Sequence, residues 1–226
     1  MPELQERTTP VTVRISSTSG RLVVKANGSA PVSFDGRAEI THTDGVVTID
    51  GGSGSLGVSV PEGADVFIGS ISGRVDVTGR AGDVAVVTTS GRVRVEAARS
   101  VDVRTKSGRV EVGEVELECC ARSTSGRVVV ERCGSADLAS RSGQIRAGNV
   151  HGPVGAHCVS GRISIGLATA ADVTAETLSG RIEISVPAGV RVHRTSTVPP
   201  IEPRPADTDC VVAARSGSGR VEITTR

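Results

Sequence analysis

Large aromatic side chains are almost missing from this chain: Phe34 and Phe67 are the only two in 226 residues, with no Trp and no Tyr. Wide globular cores draw on aromatics to fill their volume. A core of this composition must therefore be thin, with opposite walls close enough for Val, Ile, Ala and Thr to meet. Long apolar runs are missing too: no stretch approaches the ~18 residues of a membrane-spanning helix. The opening MPELQERTTPVTV lacks the basic start and apolar run of a secretory signal. Neither sign of charge is in excess. The formal net charge is +1, which gives no gross bias toward nucleic acid or a membrane surface. The cysteines Cys119, Cys120, Cys133, Cys158 and Cys210 are odd in number and follow no framework spacing. Reduced thiols and a cytoplasmic location are expected from that usage.

What the chain does have is a repeat. Ser-Gly-Arg followed by an aliphatic–x–aliphatic triplet recurs with its glycine at Gly73, Gly91, Gly108, Gly126, Gly143, Gly161 and Gly180, at spacings of 17 to 19 residues. Gly20 and Gly219 carry the same motif near the two ends. A fixed period of this length signals stacked coils of one supersecondary unit. Two and four residues after each glycine stand aliphatic pairs such as Val75/Val77, Val93/Val95 and Ile163/Ile165, with mostly polar residues between them. Seven, five and three before it stand sets such as Val84, Val86 and Thr88, or Val173, Ala175 and Thr177. Both periods are two, so each coil holds at least two short strands with one buried face, meeting at a Ser-Gly corner. Glycine suits a corner that needs positive φ or a close approach of stacked backbones. The β-branched residues and frequent glycines argue against helix. A β-sandwich also alternates and turns often, but has no reason to repeat one sequence at one interval. The expected fold is all-β: a single-stranded parallel β-solenoid (β-helix) with coils of about 18 residues, each pairing with the next. Parallel crossovers favour the right-handed form.

One domain over residues 1–226 is expected, with irregular N-terminal coils at 11–72, regular coils at 73–185 and C-terminal coils at 186–226. Pro199, Pro200, Pro203 and Pro205 mark a protruding Pro-rich loop at 198–209, and the 39 residues from Gly180 to Gly219 hold about two coils. The series of aliphatic–x–aliphatic strands divided by small-residue–Gly–polar turns resembles the bacterial adhesin-like, β-strand-repeat family of unknown function. The likeness runs from VTVRI at residue 11 to the closing SGSGRVEITTR, a final repeat after a proline-bearing excursion. The resemblance implies the fold and brings no catalytic residues with it. Many members of that family have Asp after the turn glycine, where this chain has Arg.

That substitution supplies the main candidate site. Arg74, Arg92, Arg109, Arg127, Arg162 and Arg181 follow the motif glycines, with Gln144 in the same position once. Stacked coils would line them up ~4.8 Å apart along one corner, with Lys106 and Arg141 just before the turn. Such a stripe could bind a polyanion: a phosphate polymer, an acidic glycan or, least favoured without aromatics to stack bases, nucleic acid. The plainer alternative is a solvated corner residue copied by duplication, its stem covering apolar surface. Neighbouring guanidiniums in water repel by only ~1 kcal/mol per pair, so no ligand is needed to tolerate the row. The motif serines read as corner hydrogen-bonders rather than nucleophiles, because His42, His151, His157 and His193 bear no repeated relation to them. Cys119 and Cys158 fall at buried positions, whereas Cys120 has outward parity and is the candidate reactive thiol.

Cys133, His151, His157 and Cys158 match no zinc-ligand spacing. GGSGSLGVSV at 51–60 is superficially similar to a calcium-binding glycine-rich repeat but has Ser55 where a carboxylate is needed. No carboxylate pair suits glycoside hydrolysis, and no cofactor or metal is implied. The expectation is a non-enzymatic β-solenoid that binds a polyanion or protein partner. The alternative is a bactofilin-like scaffold assembling end to end.

Overall fold

The computed structural model describes residues 11–28, 32–43, 45–196 and 208–226. Most of the Pro-rich loop expected at 198–209 lies outside them. Alternation of aliphatic and polar residues leads the chain into strands throughout, and the described residues contain no helix. The strands are β1 (Thr12–Ser17), β2 (Ser19–Gly28), β3 (Ser33–Asp35), β4 (Glu39–Thr43), β5 (Val46–Asp50), β6 (Ser53–Pro61), β7 (Asp65–Val150), β8 (Val154–Leu167), β9 (Val173–Val186), β10 (Val192–Thr195) and β11 (Cys210–Thr225). β7 runs as one continuous strand through the corners at Gly73, Gly91, Gly108, Gly126 and Gly143.

The fold is all-β and solenoid-like, with like positions stacked on like. Gly143 pairs with Gly161 and Gly161 with Gly180, and the flanking Ile145, Ile163 and Ile182 fall in the same register. Within β7 the same stacking is recorded by the corner glycines. Gly143 has φ +141°, and a Cβ there would lie 1.9 Å from the Gly126 carbonyl oxygen. Only glycine permits that approach together with that φ.

The aliphatic residues two and four after each motif glycine from Gly20 to Gly180 are buried, as are those seven, five and three before each from Gly91 to Gly180. A third wall closes the coil, lined by Ala81, Ala98, Val115, Cys133 and Val150. This wall gives one inward residue per coil and so shows no alternation of its own. The walls enclose one continuous apolar cluster from Val13 to Ala214. Each fully buried Val or Ile contributes about 1.5–3 kcal/mol, and small β-branched residues fill the thin interior without aromatics.

Both ends depart from a simple succession of coils. β1 pairs in parallel with both β5 and β7, and β2 with both β6 and β7. The first coil of the chain therefore lies between the second (β5–β6) and the third. Residues 11–72 thus hold coils in good register, with Val13 on Val66 and Leu22 on Val75, but in exchanged order. β3 and β4 then pair antiparallel with β6 and β5 and cover the outermost coil. An all-parallel stack is corrected at this point: antiparallel strands shield an edge that would otherwise expose its backbone.

The C-terminal end has the same exchange. Gly219 pairs directly with Gly180, and β10 lies outside β11. Of the described residues between Gly180 and Gly219, β10 therefore stacks outside β11 and not between β9 and β11. Sequence order does not fix spatial order here, because every coil offers the next the same ladder.

Candidate functional site

The corner that carries the arginines is set by the glycines before them. Gln144, Arg162, Arg181 and Arg220 are successive partners in register. Arg21 pairs with Arg74 on one side and Ser55 on the other. Stacking of Gly73, Gly91, Gly108, Gly126 and Gly143 carries Arg74, Arg92, Arg109 and Arg127 along the same line. All six expected arginines are thus brought to one corner, interrupted by Gln144. Arg21 and Arg220 extend the row at its two ends; their signal, Ser-Gly-Arg at 19–21 and 218–220, is plain in the sequence. Ser55 occupies the arginine position of the outermost coil, which places GGSGSLGVSV in an ordinary strand with Leu56, Val58 and Val60 buried.

Three of the row are in ion pairs: Arg21 with Asp76 at 3.4 Å, Arg109 with Glu111 at 3.4 Å and Arg181 with Glu183 at 3.5 Å. Such partly exposed pairs are worth about 0–1 kcal/mol. Arg74, Arg92, Arg127, Arg162 and Arg220 have no carboxylate at ion-pair distance among the described residues. The corner is therefore a row of cations only partly neutralised by the protein.

Behind the corner a second ladder fixes the backbone. Thr88, Thr105, Ser140, Cys158 and Thr177 donate to the carbonyls of Ser90, Ser107, Ser142, Ser160 and Ser179 at 3.1–3.4 Å. The corner-bonding donors, hydroxyls apart from the Cys158 thiol, therefore stand three residues before the glycine, and the motif serine supplies the acceptor. Ser123, at the same position, is buried with its hydroxyl unpartnered. On the far side of the corner runs a groove of about 460 Å³ lined by Val87, Arg104, Lys106, Arg122, Arg141 and Val159, among others. Arg104 and Arg122 are paired with Asp102 and Asp137.

The thiols are shielded. Cys119, Cys133, Cys158 and Cys210 are buried and Cys120 is half-buried, all of them unbonded to one another. Burial pushes the Cys133 thiol up to about 11 and raises those of Cys119, Cys120 and Cys158. At Cys120 the neighbouring Arg122 works against burial, yet the net direction disfavours the thiolate, so its reactivity relative to the other four rests on its exposure and not on a lowered pKa. With a thiol-reactive chromophore at pH 8, only Cys120 of the five is expected to react before unfolding. Rapid modification of two or more thiols in the native protein would contradict this burial. Cys133 and His151 are stack neighbours through a backbone bond, while Cys158 pairs with Ser140 on another wall. No group of three His, Cys, Asp or Glu that could hold a metal gathers among the described residues.

These features define a class: an all-β repeat protein with stacked coils, a thin aliphatic core and one basic corner. The chain belongs to the Toastrack DUF4097 family, whose model matches residues 6–198. No curated protein matches it. Among solved structures, a "putative cell adhesion protein" from Clostridium sporogenes is similar at 9% identity over 96% of this chain and 93% of that one, with a TM-score of 0.25.

Proposed function

We propose that the protein is a non-enzymatic binding module that holds a polyanion along its arginine corner. The observation that supports this is the row itself: eight arginines share one stacked position, and five of them lack a carboxylate partner among the described residues. A linear anion with charges a few Å apart could lie along the row and meet successive guanidiniums, each suited to phosphate, sulfate or carboxylate oxygens. Nucleic acid ranks last among such ligands, since both phenylalanines lie away from the corner, in β3 and at the start of β7. The wider frame of the reading is one right-handed solenoid domain, one coil per 17 to 19 residues. That none of the five cysteines is in a disulfide supports a reducing, cytoplasmic setting. End-to-end filament growth is the weaker alternative, because antiparallel strands cover the N-terminal coil.

Binding to a heparin resin tests the reading. The protein should be retained at low ionic strength and elute as salt rises. The Arg74/Arg92/Arg109→Ser variant should elute clearly earlier. A control with the same charge loss, Arg80/Arg99/Arg132→Ser, removes cations already paired with Glu116, Asp83 and Glu114 elsewhere on the coils, and should elute later than the corner variant. No retention of the wild type, or equal shifts in both variants, would sink the corner as a binding site.

A further inference from the structure

The two ends of the stack are not equivalent. At the N-terminal end, β4 pairs along all of β5, and β3 covers part of β6. At the C-terminal end, β10 pairs only with Cys210–Ala213 of β11. From Ala214 to Thr225 the inner edge of β11 is paired with β9, while its outer edge has no ladder partner among the described residues. The inward aliphatic positions report the same opening. Ile182 and Ile184 are 0% and 1% exposed, whereas Val221, stacked on Ile182, is 38% exposed, and Ile223 is only partly buried. The end of the apolar core is therefore partly open to water, beside a row of backbone donors and acceptors that have no ladder partner among the described residues.

We propose that this edge pairs antiparallel with the same edge of a second copy, giving a closed two-fold dimer. A head-to-tail contact would require an equivalent open edge at the other end, where β3 and β4 lie instead. A two-fold contact uses one surface twice and closes on itself. The side-chain pattern also selects a register. Inward residues must face inward residues, so the axis passes through a residue rather than between two.

With the axis at Val221, Arg220 of each copy stands opposite Glu222 of the other, and Val221 meets Val221. Shifting the axis to Glu222 would oppose like charges. The preferred register joins the two apolar cores and makes two cross-strand ion pairs, each a recognised source of sheet stabilisation. The groups involved are exposed, so exchanging them should leave the fold of the monomer intact. Arg220, the last arginine of the corner row, is taken up by this contact, and the other seven stand outside it.

Sedimentation velocity over a wide concentration range at low salt tests it. The wild type should form a dimer that does not grow further. R220E and E222R should each weaken dimerisation by roughly tenfold, because each turns two attractive cross-strand pairs into repulsive ones. An equimolar mixture of the two variants should recover the dimer, since the two acidic side chains of one partner then face the two basic side chains of the other. The double exchange R220E/E222R in one chain should recover it as well. Circular dichroism of each variant should match the wild type, and Arg74/Arg92/Arg109→Ser should dimerise normally. A monomer at every concentration, growth beyond the dimer, or failure of the mixture to recover would overturn the proposal.

Discussion

Gly143→Ala is expected to cost about 4 kcal/mol or more, a loss attributable to one methyl group. Two terms add. An alanine held at φ +141° pays about 1–2 kcal/mol for a left-handed backbone. Its Cβ would also lie 1.9 Å from the Gly126 carbonyl oxygen and 2.9 Å from the carbonyl carbon. A flexible neighbour could move aside, but this neighbour is backbone, and Gly126 is itself stacked against Gly108 at the same distance. Relief at one coil would have to propagate through the ladder. At about 2–4 °C per kcal/mol for a chain of this size, the melting temperature should fall by roughly 8–16 °C or more. Gly45→Ala separates the two terms, because Gly45 has φ +78° with nothing within 4 Å of its would-be Cβ. That variant should pay only the backbone cost, about 1–2 kcal/mol. Thermal melts followed by circular dichroism decide the matter: equal losses in both would mean that the close stacking of corners does not hold in solution.

The central coils were legible in the sequence because they repeat both period and register. The aliphatic pairs after each glycine and the triplets before it occupy the core as their alternation requires. The third wall escaped that reading. Ala81, Ala98, Val115, Cys133 and Val150 recur once per coil, so only their alignment seven or eight residues beyond each glycine could have revealed them. The exchange of coil order at the ends escaped it for another reason. Gly20 and Gly219 carry the same motif as their neighbours, and a backbone ladder accepts any such coil. What selects the arrangement lies in the connections, such as the antiparallel segments β3 and β4, whose local pattern resembles any short strand.

The arginine row was legible because each arginine follows a motif glycine, and stacking then decides its position. The carboxylates that partly neutralise it were harder to foresee. Glu111 and Glu183 reach the arginine two residues earlier in their own strands, whereas Asp76 reaches Arg21 in the neighbouring coil. The open C-terminal edge was not legible at all. Val221 and Ile223 repeat the pattern of Ile182 and Ile184, and what distinguishes them is that no strand among the described residues covers them.

The same buried thiols should make the protein lose stability at alkaline pH. Cys133 titrates near 11 in the fold, against an ordinary value of 9.0, because its thiolate would be buried. Burial moves Cys119 in the same direction, and further, and Cys120 and Cys158 also shift upward. In the unfolded chain these thiols ionise near 9; in the folded chain they keep their protons to higher pH. Between those values the native state binds more protons than the unfolded state, so stability falls as pH rises. The stabilisation is complete below about pH 9 and is lost through about pH 11, at about 1.4 kcal/mol per pH unit for each such thiol. Cys133 alone accounts for up to about 3 kcal/mol.

Few other groups obscure this change, since the chain has no tyrosine and only Lys25 and Lys106 as lysines. Urea unfolding at pH 8, 9, 10 and 11 under reducing conditions should therefore show stability level to about pH 9 and declining beyond it. Cys133→Ala places in the third wall a residue that Ala81 and Ala98 already show to fit, and it removes one titrating thiol. Its stability should be lower at pH 8, because a smaller residue fills the site, but should fall less steeply from pH 9 to 11. An unchanged slope in Cys133→Ala would mean that this thiol is not held protonated by the core, whatever the solvent exposure of its sulfur.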